Sequence, residues 1–447
     1  MFIETIRSEG LAHNSYFVGD GGEAAVIDPR RDCGVYLEHA AARKVKITRI
    51  LETHRNEDYL VGSPELALRT GATIHHGARA TFAYGRPVRD GDRIEVGQVS
   101  FEVLETPGHT AESLSFVLYD RDRPFTVFTG DALFVGSVGR TDLMSDDLAA
   151  NAAALFDSLH DRLLPLPDGT VVCPAHGAGS VCGVGIRDLP FSTIGHERAT
   201  NPYLSMGRED FIAAKAGELT YRPPYFRRME ELNLAGPPAP PRRWLMTPLA
   251  APELEGMQVV DIRSPTAFGA GHIPGSLSIW REGLGAFMGW VLDYDRPIAV
   301  VDDFNLDLEE VMAQFVRLGY DNLAGYLGGG FQAWFRSGRP VGQLPVWSVH
   351  DLHTRLGEVT VLDVRDGNNR REQGAIPGSL HIYVGELATR LEEVPFDRPV
   401  AAHCDVGYKG SLAASLLAAR GVPCVANVLG GFTAWKNAGY PVQQGGA

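Results

Sequence analysis

Three residues far apart in the chain, His54, His109 and Asp131, carry the strongest chemical signal of this sequence. Each follows an apolar run. Residues 47–52 run into Thr53-His54, residues 101–105 into Thr106-Pro107-Gly108-His109, and residues 126–129 into Gly130-Asp131. Short apolar runs closed by turn residues read as buried strands, so the three side chains are expected together at one edge of a sheet. Two imidazoles and one carboxylate there form a facial set with open coordination positions, which suits non-haem Fe(II) and dioxygen.

A second signal lies near the other end, in His403-Cys404-Asp405-Val406-Gly407-Tyr408-Lys409-Gly410-Ser411. An apolar run precedes it and a helical stretch follows. A cysteine on such a strand-to-helix turn receives backbone N–H groups and the positive end of the helix dipole, the setting of a nucleophilic thiolate. Lys409 adds a cation. The other cysteines lack this context: Cys424 and Cys173 read as core in apolar strands, and Cys33 and Cys182 have no reactive neighbours in sequence. His13, His39, His75, His76 and His160 read as packing or surface residues.

The elements that must position these groups span several domains, since 447 residues exceed one ordinary core. The net charge of −14 gives no electrostatic case for nucleic acid or an anionic membrane. No apolar stretch is long enough to span a bilayer, and Met1-Phe2-Ile3-Glu4-Thr5 lacks the features of a secretory signal. A cytoplasmic protein is therefore expected. Five scattered cysteines without a CxxC argue against a disulfide framework and a Cys-rich zinc site.

Residues 1–235 alternate strand and helix patterns; Leu148, Ala152, Leu155, Leu159 and Leu163 recur at helical spacing behind Ser145-Asp146-Asp147. Gly236-Pro237-Pro238-Ala239-Pro240-Pro241 is a stiff linker. After it the sequence repeats. Val259-Val260-Asp261-Ile262-Arg263 is echoed by Val361-Leu362-Asp363-Val364-Arg365, and Gly330-Phe331-Gln332-Ala333-Trp334 by Gly431-Phe432-Thr433-Ala434-Trp435. Ile273-Pro274-Gly275-Ser276 and Ile376-Pro377-Gly378-Ser379 match likewise. The period is that of a whole domain. Three domains are expected, at 1–235, 236–343 and 344–447, each of the last two a doubly wound α/β module.

The run Thr53-His54-Arg55-Asn56-Glu57-Asp58-Tyr59, with Gly108-His109, Thr129-Gly130-Asp131 and Pro174-Ala175-His176, resembles the metallo-β-lactamase fold, an αββα sandwich with metal at the sheet edge. Asn56 and Tyr59 stand where the dinuclear hydrolases of that family have histidines. An amide or a phenol is a poor zinc ligand, so the resemblance favours the persulfide dioxygenase branch. It implies one Fe(II) per chain, or zinc in its place, on His54, His109 and Asp131. Asp58 and His176 would orient the ligands and a bound water, and Asn56 and Tyr59 would donate hydrogen bonds toward reacting oxygen. Arg140, in Phe134-Val135-Gly136-Ser137-Val138-Gly139-Arg140, would clamp a substrate carboxylate. The reaction implied uses O2 to oxidise a low-molecular-weight thiol persulfide, of the glutathione or coenzyme A type, to sulfite.

The loop at Cys404 resembles the Cys-x-x-Gly-x-Arg-Ser loop of rhodaneses, with Lys409 in place of arginine. The resemblance implies sulfane sulfur carried on Cys404, with thiosulfate or sulfite as partners and Asp405, Val406, Gly407, Tyr408 and Lys409 around the substrate. In the first repeat Asp302 or Asp303 takes the place of the cysteine, so that copy is expected to be silent. A homo-oligomeric fusion of one persulfide dioxygenase and two rhodanese modules is the resulting expectation. Two alternatives stay open: a thioester hydrolase of the glyoxalase II type, and a sulfurtransferase whose N-terminal domain is a catalytically degenerate scaffold.

Overall fold

The computed structural model describes residues 1–241 and 247–444. The chain forms two compact units, Met1–Arg242 with Val316–Gly319, and Arg243–Phe315 with Tyr320–Ala447.

The first unit holds two six-stranded sheets. The apolar runs of the sequence become strands Lys46–Leu51, Val99–Glu105 and Arg123–Gly130, whose side chains alternate between the two faces of their sheet. Val99, Phe101 and Val103 join Tyr16, Val18, Leu51 and Phe128 in the core between the sheets. Leu104, Val117 and Val127 face outward, against Leu155 and Phe211 of helices Leu148–Asp157 and Arg208–Ala216. On the far side Phe17, Val26 and Ile50 meet Tyr36 and Leu66 of helices Gly34–Arg43 and Ser63–Thr70. The layers are helix, sheet, sheet, helix. Asp147 caps helix Leu148–Asp157, its carboxylate accepting from the Ala150 N–H at 2.9 Å.

The second unit holds two five-stranded sheets with one strand order. The first runs Thr247–Leu249, Leu323–Leu327, Ile298–Val301, Gln258–Asp261, Leu277–Ser278, and all its pairings are parallel. The second runs Val346–Trp347, Val425–Val428, Val400–His403, Thr360–Asp363, Leu380–His381, again parallel. The chain winds outward in one direction from Thr360–Asp363 and in the other from Val400–His403. Such a reversal leaves a crevice at the carboxyl ends of the two strands.

The repeated motifs build the same internal brace twice. Arg263 holds Asp261 through two nitrogens, at 2.9 and 2.7 Å, and donates to the Gly271 carbonyl. Arg365 does the same with Asp363, at 2.9 and 2.7 Å, and donates to the Gly374 carbonyl. Each guanidinium lies over a phenylalanine ring, Phe331 at 4.0 Å and Phe432 at 3.8 Å. Trp334 and Trp435 close the brace by donating to the Pro340 and Pro441 carbonyls. Arg365 is fully buried. Replacing Asp363 with alanine strands that cation and should cost about 3–5 kcal/mol, read as a fall in the urea midpoint of the second unit by tryptophan fluorescence.

The two modules of this unit touch through small and aromatic groups. The Ser278 and Ser411 hydroxyls are 2.9 Å apart, and Ser415 accepts from the Ser278 N–H at 3.0 Å. The Trp280 ring sits 5.1 Å from Tyr408, and Trp290 lies 5.7 Å from Tyr383. Among the described residues, no helix is long and apolar enough to cross a membrane.

Candidate functional site

His54, His109 and Asp131 lie just past the ends of their three strands and converge in a buried cluster of the first unit. Asp131 Oδ2 stands 3.8 Å from His54 Nε2 and 3.5 Å from His109 Nε2. The outer nitrogens of both rings are fixed from behind. His54 Nδ1 meets the Thr53 hydroxyl at 2.9 Å, and that hydroxyl donates to Asp28 at 2.7 Å. His109 Nδ1 donates to the Arg140 carbonyl at 3.0 Å. Both rings therefore aim Nε2 at the shared space, as metal-ligating histidines do. Gly139 keeps the cluster tight: a Cβ there would stand 1.9 Å from the Asp131 carbonyl oxygen.

His176 extends the cluster. Its Nδ1 lies 2.8 Å from Asp131 and its Nε2 2.9 Å from Asp58. The structure brings in a carboxylate that sequence reasoning passed over, Glu57, with Oε1 3.1 Å from His109 Nε2 and Oε2 3.9 Å from His54 Nε2. Cys182 also differs from its expectation: buried, its Sγ lies 3.4 Å from Glu57 Oε1.

The charges order themselves accordingly. Burial alone would pull the His109 imidazole down, but Glu57 and Asp131 outweigh it and push it up to about 9. Burial opposes the same trend at His176, where Asp131 and Asp58 carry the ring well above its usual value. Burial would raise Glu57 and Asp131. The facing histidines instead hold Glu57 well below its ordinary carboxylate value and Asp131 below its own. Cations and anions are packed together out of water, where a divalent ion could replace imidazole protons.

Asn56 adopts a left-handed backbone, φ 48°, and its amide donates back to the His54 carbonyl at 3.0 Å. Tyr59 is fully buried with its ring 4.2 Å from His13, which in turn lies 5.7 Å from His176. Arg140 is engaged within the protein. Its guanidinium is buried, holds Asp142 at 2.7 Å through two nitrogens, and donates to the Val181 and Tyr221 carbonyls. These contacts brace the site loop.

Asn233, on helix Phe226–Ala235, was invisible to motif reading. Its amide nitrogen reaches the carbonyls of Arg55, Asn56 and Tyr59 at 2.8, 2.7 and 2.8 Å, and its oxygen accepts from Val61 N–H at 3.1 Å. One buried side chain thus satisfies the backbone of an irregular loop. Replacing Asn233 with alanine leaves these groups unpaired, at about 1–3 kcal/mol each. It should lower both the melting temperature and the metal content after dialysis.

In the second unit Cys404 follows strand Val400–His403 at the crevice where the winding reverses. Its Sγ accepts the Gly407 N–H at 3.1 Å, just before helix Tyr408–Ala419. The Cys404 carbonyl accepts from Phe432 N–H at 2.8 Å, and a Cβ on Gly431, φ 50°, would stand 2.2 Å from that carbonyl. Val406 and Tyr408 are exposed around the loop, and Lys409 pairs with Asp405 at 3.4 Å. In the other module Asp302 follows strand Ile298–Val301 and its backbone carbonyl accepts from Phe331 N–H at 3.0 Å, so Asp302 holds the place of the cysteine. Cys424, expected in the core, is exposed at a bend with φ 55°, one residue short of strand Val425–Val428.

The metallo-beta-lactamase superfamily model matches residues 9–176, and the rhodanese-like domain model matches 243–337 and 348–438. The mitochondrial persulfide dioxygenase ETHE1 of Bos taurus is 31% identical over 210 residues, 44% of this chain and 74% of that protein. The chain belongs to the metallo-beta-lactamase superfamily. Its members similar to this chain include persulfide dioxygenases, and two rhodanese-like domains follow the superfamily domain. A hydroxyacylglutathione hydrolase of Hahella chejuensis is 35% identical over 230 residues, 46% of this chain and 85% of that protein. A metallo-beta-lactamase crystal structure from Staphylococcus aureus superposes with a TM-score of 0.66 at 31% identity, covering 73% of this chain and 98% of that one.

The superfamily fold implies a bound metal, and the residues fit one. Among the described residues, His54 Nε2, His109 Nε2 and Glu57 Oε2 are buried without a hydrogen-bond partner. Ligand atoms of His54, Glu57 and His109 all lie within 4.8 Å of one another. Buried polar atoms left unpaired cost about 1–3 kcal/mol each, more for charged groups, and a cation at their focus removes that cost.

Proposed function

We propose that the chain is a persulfide dioxygenase coupled to a sulfurtransferase. The first unit would oxidise a low-molecular-weight thiol persulfide, of the glutathione or coenzyme A type, to sulfite. Its metal would be one Fe(II) per chain, held by His54, His109 and Asp131. The observation that carries this reading is the approach of Asp131 Oδ2 to the Nε2 atoms of both histidines, at 3.8 and 3.5 Å. Iron bound there supplies open coordination positions and redox chemistry suited to dioxygen. The chain supplies the rest. Thr53 and the Arg140 carbonyl fix the two rings, His176 holds Asp131 in place, and the burial of the cluster keeps bulk water out. One persulfide, one dioxygen and one water give one thiol, one sulfite and two protons.

At the second site the Cys404 thiolate attacks the outer sulfur of a donor, and the S–S bond of the donor breaks with its electron pair leaving on the donor thiol or on sulfite. The Gly407 N–H, aimed at Sγ, steadies the anion on either side of the transfer. Asp302 cannot carry sulfane sulfur, so the first rhodanese-like module is silent. The domain limits that go with this reading are 1–235, 236–343 and 344–447. The likeness to a hydroxyacylglutathione hydrolase favours a second reading, thioester hydrolysis at the first site. Oxygen consumption and sulfite release with glutathione persulfide, run beside hydrolysis of S-lactoylglutathione, separate the two. The dioxygenase reading expects turnover of the persulfide alone.

A further inference from the structure

Asn56 and Tyr59 look in sequence like lost metal ligands. The structure shows what stands in that space instead. The left-handed turn at Asn56, a conformation asparagine tolerates better than most residues, is tied by its own amide to the His54 carbonyl. The next residue, Glu57, is thereby carried inward. Its carboxylate is fully buried and lies between the two histidines, 3.1 Å from His109 Nε2 and 3.9 Å from His54 Nε2. Among the described residues Oε2 has no hydrogen-bond partner, and Oε1 faces His109 Nε2 and the weak donor Cys182 Sγ at 3.4 Å. Arg55, its neighbour in sequence, is turned away and engaged by Glu112 at 3.1 Å. No arginine or lysine pairs with Glu57 among the ion pairs of the described residues.

We propose that Glu57 is a fourth protein ligand of the metal, in place of the missing loop histidine. This rests on the reading that the first site binds a metal. The donor set becomes two imidazoles and two carboxylates. Their two negative charges neutralise a divalent cation, where the facial triad leaves one positive charge. The departure at Asn56 then moves a ligand by one residue along the chain, and Asn56 is a positioning residue for Glu57. Fewer positions stay open for substrate and dioxygen than in a three-ligand site.

The test uses the full chain. Anaerobic titration with Fe(II) and with Co(II) measures metal affinity for wild type, Glu57→Gln and Asn56→Gly. Glutamine keeps the shape and removes the charge; glycine keeps the left-handed turn. The inference expects Glu57→Gln to weaken the metal by more than about 100-fold, beyond what residues that only orient ligands contribute, and Asn56→Gly to stay within about tenfold of wild type. A crystal of wild type loaded with Co(II) gives a second reading that needs no variant: a Glu57 oxygen at about 2.0–2.2 Å from the metal. A metal on His54, His109 and Asp131 with Glu57 turned away, or unchanged affinity in Glu57→Gln, overturns the inference and leaves the function standing. No metal uptake by wild type overturns the reading beneath it.

Discussion

Replacing His109 with alanine should abolish persulfide-dependent oxygen uptake. His109 has no second role that would survive the change: its Nδ1 is held by the Arg140 carbonyl and its Nε2 faces Glu57 and Asp131 in a site closed to water. Partners that merely orient a ligand contribute about 10–100-fold to metal affinity or activity, so the loss of a ligand itself should exceed about 100-fold. Oxygen-electrode rates with glutathione persulfide and sulfite release should fall together, and metal should wash out on dialysis. Sulfur transfer from thiosulfate should persist in the same variant, because Cys404 belongs to the other unit. Unchanged oxygen uptake would leave the first domain as a scaffold.

The converse variant is Cys404→Ser. A hydroxyl cannot carry sulfane sulfur, and the change removes only the atom that accepts the Gly407 N–H. Thiosulfate-dependent sulfur transfer should fall to background while oxygen uptake on a supplied persulfide continues. A mass shift of one sulfur on the intact chain after incubation with thiosulfate, present in wild type and absent in Cys404→Ser, would locate the carrier. A shift that survives would move the chemistry to another thiol, and Cys424, exposed at its bend, is the first to test.

The layers and the repeat were legible because they rest on local rules. Alternating apolar residues specify strands with two packed faces, and Asp147 marks a helix start. The paired Asp-x-Arg motifs, Asp261 with Arg263 and Asp363 with Arg365, mark one brace built twice. The positions of His54, His109 and Asp131 at strand ends were legible for the same reason. Glu57 was not, since its approach depends on a single left-handed residue in a loop without period. Cys182 and Asn233 escaped because their roles come from contacts 125 and 177 residues away in sequence. The partners of Arg140 were not legible in its motif. Asp142, two residues on, occupies its fork, and only the folded loop shows that pairing. Cys424 misled through apolar neighbours, because the strand begins one residue later.

The most direct test of the account counts metal. The full chain, reconstituted anaerobically with excess Fe(II) and desalted, should hold one iron per polypeptide by elemental analysis, and the His109→Ala chain prepared alongside should hold none. Two tightly held metals per polypeptide would point to a dinuclear hydrolase, and an iron-free wild-type chain would leave only the thiol chemistry of Cys404.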